Sequence, residues 1–160
     1  MSFAIRAAVA DDAAAIHQLI VELATYEREP ESVTSTISDV TRSLFCDHPA
    51  VFGHVAEVDG EIVAIAIWFL NYSTWTGRHG VYLEDLFVRP EQRGSGIGKA
   101  LLQTLATTCV ERGYTRLEWA VLDWNTPSIE FYLALGAKRM EEWDIFRLDG
   151  SALAALGGGA

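Results

Sequence analysis

The sequence predicts an α/β fold, a mixed six- to seven-stranded sheet flanked by about four helices, and three features carry that expectation. Apolar patterns of period two and period 3.6 follow one another in the order β α α β β β α β α β β. Strand patterns at 81–88 and 116–122 bracket a helical stretch, and a crossover of that length brings its two strands together in parallel. Asp59-Gly60, set between two apolar runs, is the strongest short-range hairpin signal in the chain and adds an antiparallel pair to the same sheet.

Each element has a local reason. "FAIRAAV" (3–9) begins as an alternating strand. Asp11 or Asp12 caps the helix that follows, whose Ile16, Leu19, Ile20, Leu23 and Tyr26 recur at helical spacing; Pro30 ends it. A second helix runs from about Thr36 to Phe45, with Ile37, Val40 and Leu44 on one side. "VFGHVAEV" and "EIVAIAIWFL" are the two arms of the hairpin, and "VYLEDLFV" (81–88) is a strand stopped by Pro90. The helix from about Gly96 to Arg112 turns Leu101, Leu102, Leu105 and Cys109 inward and stops at Gly113. "RLEWAVL" (116–122) is a strand; "NTPSIEFYLALG" (125–136) is a short helix, with Pro127 near its first turn and Gly136 past its end. Two short strands are expected at about 137–142 and 144–148, and one helical turn in "DGSALAALGGGA". No repeat or linker divides the chain, so residues 1–160 read as a single domain.

Composition narrows the function. Half of the residues are hydrophobic, the formal net charge is -10 and the pI is about 4.7. No basic stripe is present to neutralise phosphates, which argues against nucleic acid as a partner; an acidic cleft would instead attract a cationic small molecule. Cys46 has His48 nearby but no second ligand pair at zinc spacing, so no metal site is expected, and two free thiols fit a reducing compartment. The N-terminus lacks the apolar region of a signal peptide, and the longest apolar run (62–70) is far short of the roughly 20 residues needed to span a bilayer. A soluble, cytoplasmic protein is expected.

The stretch "RGSGIGK" (93–99) asks for a ligand, because glycines at a helix start cost stability unless something approaches the backbone closely. A P-loop fails: aligning Gly98-Lys99 to its G-K puts Arg93 where a glycine is needed and Ala100 where Ser or Thr is needed. A dinucleotide loop fits Gly94 and Gly96, but the third glycine comes one residue early at Gly98 and Lys99 takes its place. A pyrophosphate on successive N–H groups at a helix N-terminus fits without such conflicts.

The pattern R-x-x-G-x-G (Arg93, Gly96, Gly98), after a strand ending in "FV" and ahead of an amphipathic helix, resembles the acetyl-CoA loop of the GNAT acetyltransferase superfamily. "YLEDLFV", "RGSGIG", "WNTPSIEFY" and "LGA" occur in the order and spacing of its diamine (spermidine/spermine) and thialysine N-acetyltransferase branch, and "ELATYE" (22–27) and "DHP" (47–49) look like that branch's N-terminal features. The resemblance implies the GNAT acyl-CoA N-acyltransferase fold, acetyl-CoA as co-substrate, no metal, and a homodimer. It implies acetyl transfer to a primary amine of a small cationic substrate, a polyamine, diamine or thialysine-like amino acid, by direct attack in a ternary complex. Acetylation of a protein amine, or a non-catalytic acyl-CoA sensor on the same fold, are the alternatives.

The resemblance also implies roles. The pantetheine arm would enter a gap between strands 81–88 and 116–122 and pair with the backbone of Leu86, Phe87 and Val88. Gly94, Ser95, Gly96, Ile97, Gly98 and Lys99 would hold the phosphates on their N–H groups, with Arg93 adding charge. Asn125, Ser128 and Tyr132, spaced i, i+3, i+7, share a helix face; Asn125 and Ser128 would lie against the cofactor and Tyr132 would protonate the leaving sulfur. By spacing alone Tyr132 reads as a core aromatic, and the resemblance reverses that reading. Glu84 is the candidate base, acting through water. Glu84 and Asp85 are consecutive on a strand and point to opposite faces unless a bulge re-aims one of them. Tyr26, Glu27, Glu84, Asp85, Glu118, Trp119 and Asp144 (or Glu142 in its place) would bind the substrate, and Trp75 is either a substrate wall or an exposed hairpin aromatic.

Overall fold

Five strands form one sheet in sequential order: β1 (Ala4–Ala7), β2 (Phe52–Val58), β3 (Glu61–Ser73), β4 (Arg78–Val88) and β5 (Leu117–Trp119). The computed structural model describes residues 2–159, and the chain forms two compact units that divide between Leu122 and Asp123. The first unit holds the sheet with helices α1 (Ala13–Tyr26), α2 (Ile37–Leu44) and α3 (Ile97–Arg112); the second holds α4 (Thr126–Ala134) and α5 (Gly150–Leu156). The first three strand pairings are antiparallel and β4–β5 is parallel, the mixed sheet that the crossover predicts.

Local chemistry sets the boundaries. Asp59 and Gly60 both have positive φ (51° and 83°), as the tight hairpin between β2 and β3 requires. Thr36 starts α2 by a reciprocal cap: its hydroxyl accepts from the Asp39 N–H, and Asp39 accepts from the Thr36 N–H. Asp12 stands at the start of α1 but does not cap it with its side chain. Its buried carboxylate instead accepts from the Val9 N–H and from both terminal nitrogens of Arg6, which holds its pKa below the usual carboxylate range. Gly113 ends α3 in the left-handed conformation.

The register assigns every core residue to a face. On one face Val55, Ile65, Ile67 and Phe87 pack with Ile16, Leu19 and Leu23 of α1 and Val40 of α2. The alternating residues Ala56, Ala64, Ala66 and Trp68, also buried, lie on the other face, which is left for α3 and its buried Leu101, Leu105 and Cys109. On β4 the alternation breaks once. Leu83 opposes Trp68 and Asp85 opposes the next residue of β3, Ile67, so Glu84 is an extra residue in a β-bulge.

The sequence expectation needs three corrections. The sheet has five strands among the described residues, not six or seven, because segment 137–148 forms no ladder there; an extended stretch is a strand only when a partner supplies its hydrogen bonds. In that segment Ile145 and Phe146 are exposed, Phe146 at 93%. Second, β5 is shorter than 116–122, because its pairing with β4 runs only from Val81↔Leu117 to Leu83↔Trp119. Third, the described residues form five α-helices, since the C-terminal stretch forms α5 in place of a single turn. Of the two readings of Trp75, the structure matches the exposed hairpin aromatic: it sits in the β3–β4 turn with 93% of its surface exposed.

Candidate active site

The β4 bulge brings together what a regular strand would separate. Because Asp85 opposes Ile67 while Tyr82 opposes Phe69, Asp85 and Tyr82 share the α1/α2 face although they are three residues apart. Parallel pairing with Tyr82 puts Glu118 on that same face, and Asn71, two residues beyond Phe69, joins them. Glu27, at the C-terminal cap of α1, supplies a further carboxyl. Burial raises the Asp85 pKa to about 6, with the charges of Glu84 and Glu27 adding to the rise. Burial also raises Glu27. The Tyr82 phenol is pushed up by burial and by Glu84 and Glu118. Glu84 itself, on the outside of the bulge, is exposed. The arrangement is an acidic cluster in which Asp85 keeps its proton up to about pH 6.

Glu118 is anchored rather than free. It accepts from Asn71 Nδ2 at 2.9 Å and pairs with Arg116 Nε at 2.8 Å. Trp119 pairs with Leu83 and so faces the opposite side of the sheet from Glu118; the two do not line one recess within the first unit. Tyr82 and Asn71 are the members that sequence reasoning missed. The only available signal was their strand parity, and the bulge inverts it.

Past Leu83 the β4 edge toward β5 has no strand partner among the described residues, which leaves Leu86 and the Val88 N–H without a ladder partner on that side; the Val88 carbonyl is taken by Arg93. The Phe87 side chain is committed to the α1/α2 core, and alternation along the strand turns its main chain toward β3. β4 leads through the turn Pro90–Gln92 into the glycine loop. There Gly94 (φ 78°) and Gly96 (φ 90°) adopt left-handed conformations, and a Cβ at either would meet no atom within 4 Å. The glycines therefore serve backbone conformation, and their outer surface is clear for close approach. Among the described residues the backbone N–H groups of residues 94–99 have no intramolecular acceptor, as the start of α3 leaves them. Ser95 Oγ donates to the Gln92 carbonyl at 2.6 Å and tightens the loop. Arg93 Nε donates to the Val88 carbonyl at 2.9 Å.

In the second unit, Asn125 caps α4 by accepting from the Ser128 N–H at 3.4 Å, and Pro127 occupies the first turn. Asn125 is buried, with a helix-capping duty that the sequence reading did not foresee. Tyr132 lies in the last turn of α4 and its ring meets that of Phe131, with centroids 5.5 Å apart. Asp144 and Glu142 are both exposed in irregular chain. Among the described residues no group of three or more His, Cys, Asp or Glu is placed to hold a metal ion, and no helix is long and apolar enough to cross a membrane.

Comparison with known proteins agrees with this architecture. The profile of the Acetyltransferase (GNAT) family matches residues 13–137. The chain is 37% identical to a thialysine N-epsilon-acetyltransferase of Bos taurus over 165 aligned positions, 96% of each chain. It is 29% identical to an L-ornithine N5-acetyltransferase of Arabidopsis thaliana, covering 95% of this chain and 86% of the relative. Among solved structures, an integron cassette protein from the mobile metagenome of V. cholerae superposes with a TM-score of 0.83 at 25% identity, covering 98% of both chains. The chain thus belongs to the GNAT acetyltransferase family, in the branch of diamine and thialysine enzymes, and is an N-acetyltransferase.

Proposed function

We propose that this protein transfers the acetyl group of acetyl-CoA to the distal primary amine of a small cationic amino acid or diamine, by direct attack in a ternary complex. The observation that carries this reading is the coincidence, on one strand, of an acidic cluster at the Glu84 bulge and an edge without a strand partner that leads into unpartnered loop N–H groups. The loop suits a pyrophosphate: residues 94–99 would hold it on backbone N–H groups at the positive end of α3. Arg93 adds charge, Leu86 and Val88, on either side of Phe87, offer main-chain partners to the pantetheine arm, and Asn125 and Ser128 flank the cofactor. Bound there, acetyl-CoA supplies an acyl group activated as a thioester.

The chain's own residues do the rest. An alkyl ammonium of pKa about 10 must lose a proton before it attacks. Glu84, exposed at the bulge, takes that proton through water. Asp85, Glu27 and Glu118 attract and seat the cation, with Tyr26, Trp119 and Asp144 (or Glu142) completing its contacts. Tyr132 returns a proton to the leaving sulfur. The relatives' names favour an amino acid over a long polyamine, because thialysine and ornithine both join an amino-acid head to a distal primary amine. The family match begins in the first compact unit and reaches into the second as far as Ala137, which supports their acting as one catalytic domain, and we place that domain in the cytoplasm as a homodimer.

A panel of thialysine, ornithine, lysine, diamines, spermidine, spermine and aminoglycosides, assayed for CoA release, tests the proposal. Thialysine and ornithine are expected to lead; release of CoA with none of the small amines would leave a protein amine, or ligand sensing, as the function. In the same assay Tyr132→Phe should lower turnover roughly 10²–10⁴-fold at unchanged CoA affinity. Wild-type turnover in that variant would remove Tyr132 from the proton path.

A further inference from the structure

We infer that Arg93 is a positioning residue that couples the two substrate sites, tying the phosphate-binding loop to the end of α1 that carries Glu27. The inference rests on the functional reading above, in which phosphate occupies residues 94–99 and the amine lies near Glu27 and Asp85.

The geometry is a clamp with two rungs. Arg89, at the end of β4, pairs with Glu22 of α1 through Nε at 3.0 Å and also with Glu61. Four residues later on both elements, the Arg93 guanidinium lies over the ring of Tyr26, with Cζ 4.8 Å from its centroid. Glu22 and Tyr26 are spaced i, i+4 and so lie on one side of the last turns of α1. The β4–α3 connection therefore grips α1 twice, and Glu27 is the residue directly after the second grip. Arg93 is itself held from below, by Nε on the Val88 carbonyl at 2.9 Å and by the buried ring of Phe87, 5.6 Å from Cζ.

A guanidinium can do two things at once that an ammonium cannot. Its face stacks on an aromatic ring while its edge donates to a phosphate oxygen. A phosphate on that edge narrows the orientations open to the guanidinium, and through the stack it narrows those open to Tyr26 and the cap at Glu27. Donor binding thereby prepares the acceptor wall, and by linkage the amine must tighten the donor by the same factor. Lysine at this position would keep the charge but lose both the Nε bond and the planar stack.

The test is calorimetric binding of thialysine with and without saturating CoA, a pair that cannot react. In the wild type CoA should tighten thialysine about three- to tenfold, the span expected of one cation–π contact that is partly desolvated. Arg93→Lys and Tyr26→Ala should each bring that ratio close to one, the double variant should do no more, and Tyr26→Phe, which keeps the ring, should retain it. Arg93→Lys with an undiminished ratio, or Tyr26→Phe as damaging as Tyr26→Ala, would overturn the coupling. A wild type that binds both ligands with a ratio of one overturns the coupling alone, whereas a wild type that binds neither overturns the functional reading and the coupling together.

Discussion

The two edges of β4 are built differently. Toward β3 the strand is paired from Arg78 to Val88, interrupted only by the bulge at Glu84; toward β5 it is paired only from Val81 to Leu83. The closed edge is a rail, fixed by a continuous ladder. The open edge leaves the second half of the strand with backbone groups for a partner other than protein. The two irregularities meet at one place: pairing with β5 ends at Leu83, and the next residue is the bulge that turns Asp85 onto the α1/α2 face. One strand can thus present main chain sideways to one ligand and carboxyls from its face to another. That is what a transfer between two bound molecules requires.

The open side should be the more sensitive to a change in backbone. Gly96→Val would force a β-branched residue to φ 90°, a conformation it cannot hold without shifting the loop that presents the N–H groups. CoA affinity should fall at least about 100-fold, equivalent to about 2.7 kcal/mol. Calorimetry on a variant with an unaltered circular dichroism spectrum checks this, and an unchanged affinity would place the phosphates elsewhere.

Asp85→Asn should separate stability from activity. The folded pKa of Asp85 lies at about 6, above the ordinary 3.9, so the folded protein holds this proton more tightly than the unfolded chain does. The stability tied to the protonated group is complete below about pH 4 and is lost as pH rises through about 6. At pH 8 the wild type carries a buried charge that the amide removes. The variant should therefore be more stable there by about 2–3 kcal/mol and nearly unchanged at the acid end. Its kcat/KM should fall, and the rise of wild-type kcat/KM through about pH 6 should vanish. Denaturant titrations at the two pH values and a pH–rate profile read both effects, and equal destabilisation at both pH values would mean that Asp85 is packed as a neutral structural group.

A Cβ at Gly80 tests the other half of the comparison. It would lie 2.6 Å from Asn71 Oδ1, 2.7 Å from Arg116 Cγ and 2.9 Å from the Arg116 carbonyl, and the last of these is backbone that cannot swing aside. Gly80→Ala should cost about 1–3 kcal/mol, as overpacking does, and lower Tm by about 2–4 °C per kcal/mol. Its CoA affinity should stay within about twofold of the wild type, a change of less than about 0.5 kcal/mol. A large loss of CoA affinity without a loss of stability would show that the first half of β4 also carries the donor.

These contrasts also mark how far the sequence could be read. The hairpin at Asp59-Gly60, the stop at Gly113 and the run of the central helix are legible because a local rule sets each one: positive φ, a left-handed cap, a 3.6-residue period. The glycine loop is legible because its cost is local and its use is not. The bulge is not legible, since an extra residue on β4 exists only relative to the register of β3. Tyr82 and Asn71 go unnoticed for that reason, and so does the perturbed state of Asp85, whose burial comes from α1 and the sheet together. Strands at 137–148 are the opposite error. The stretch "KRMEEWDIFRL" carries apolar residues at Met140, Trp143, Ile145, Phe146 and Leu148, which do not hold a period of two, and no strand partner for it exists among the described residues. Asp12 shows a competition: the residue type suits a cap, and Arg6 takes its carboxylate instead.

The central claim is that the open edge of β4 receives the donor, and backbone amide exchange on addition of CoA tests it most directly. Protection should appear at Leu86 and Val88, whose N–H groups face the free edge, and at residues 94–99, while residues 78–83, already closed on both sides or remote from the loop, should exchange as before. Protection confined to the loop, with Leu86 and Val88 unchanged at saturating CoA, would contradict the account.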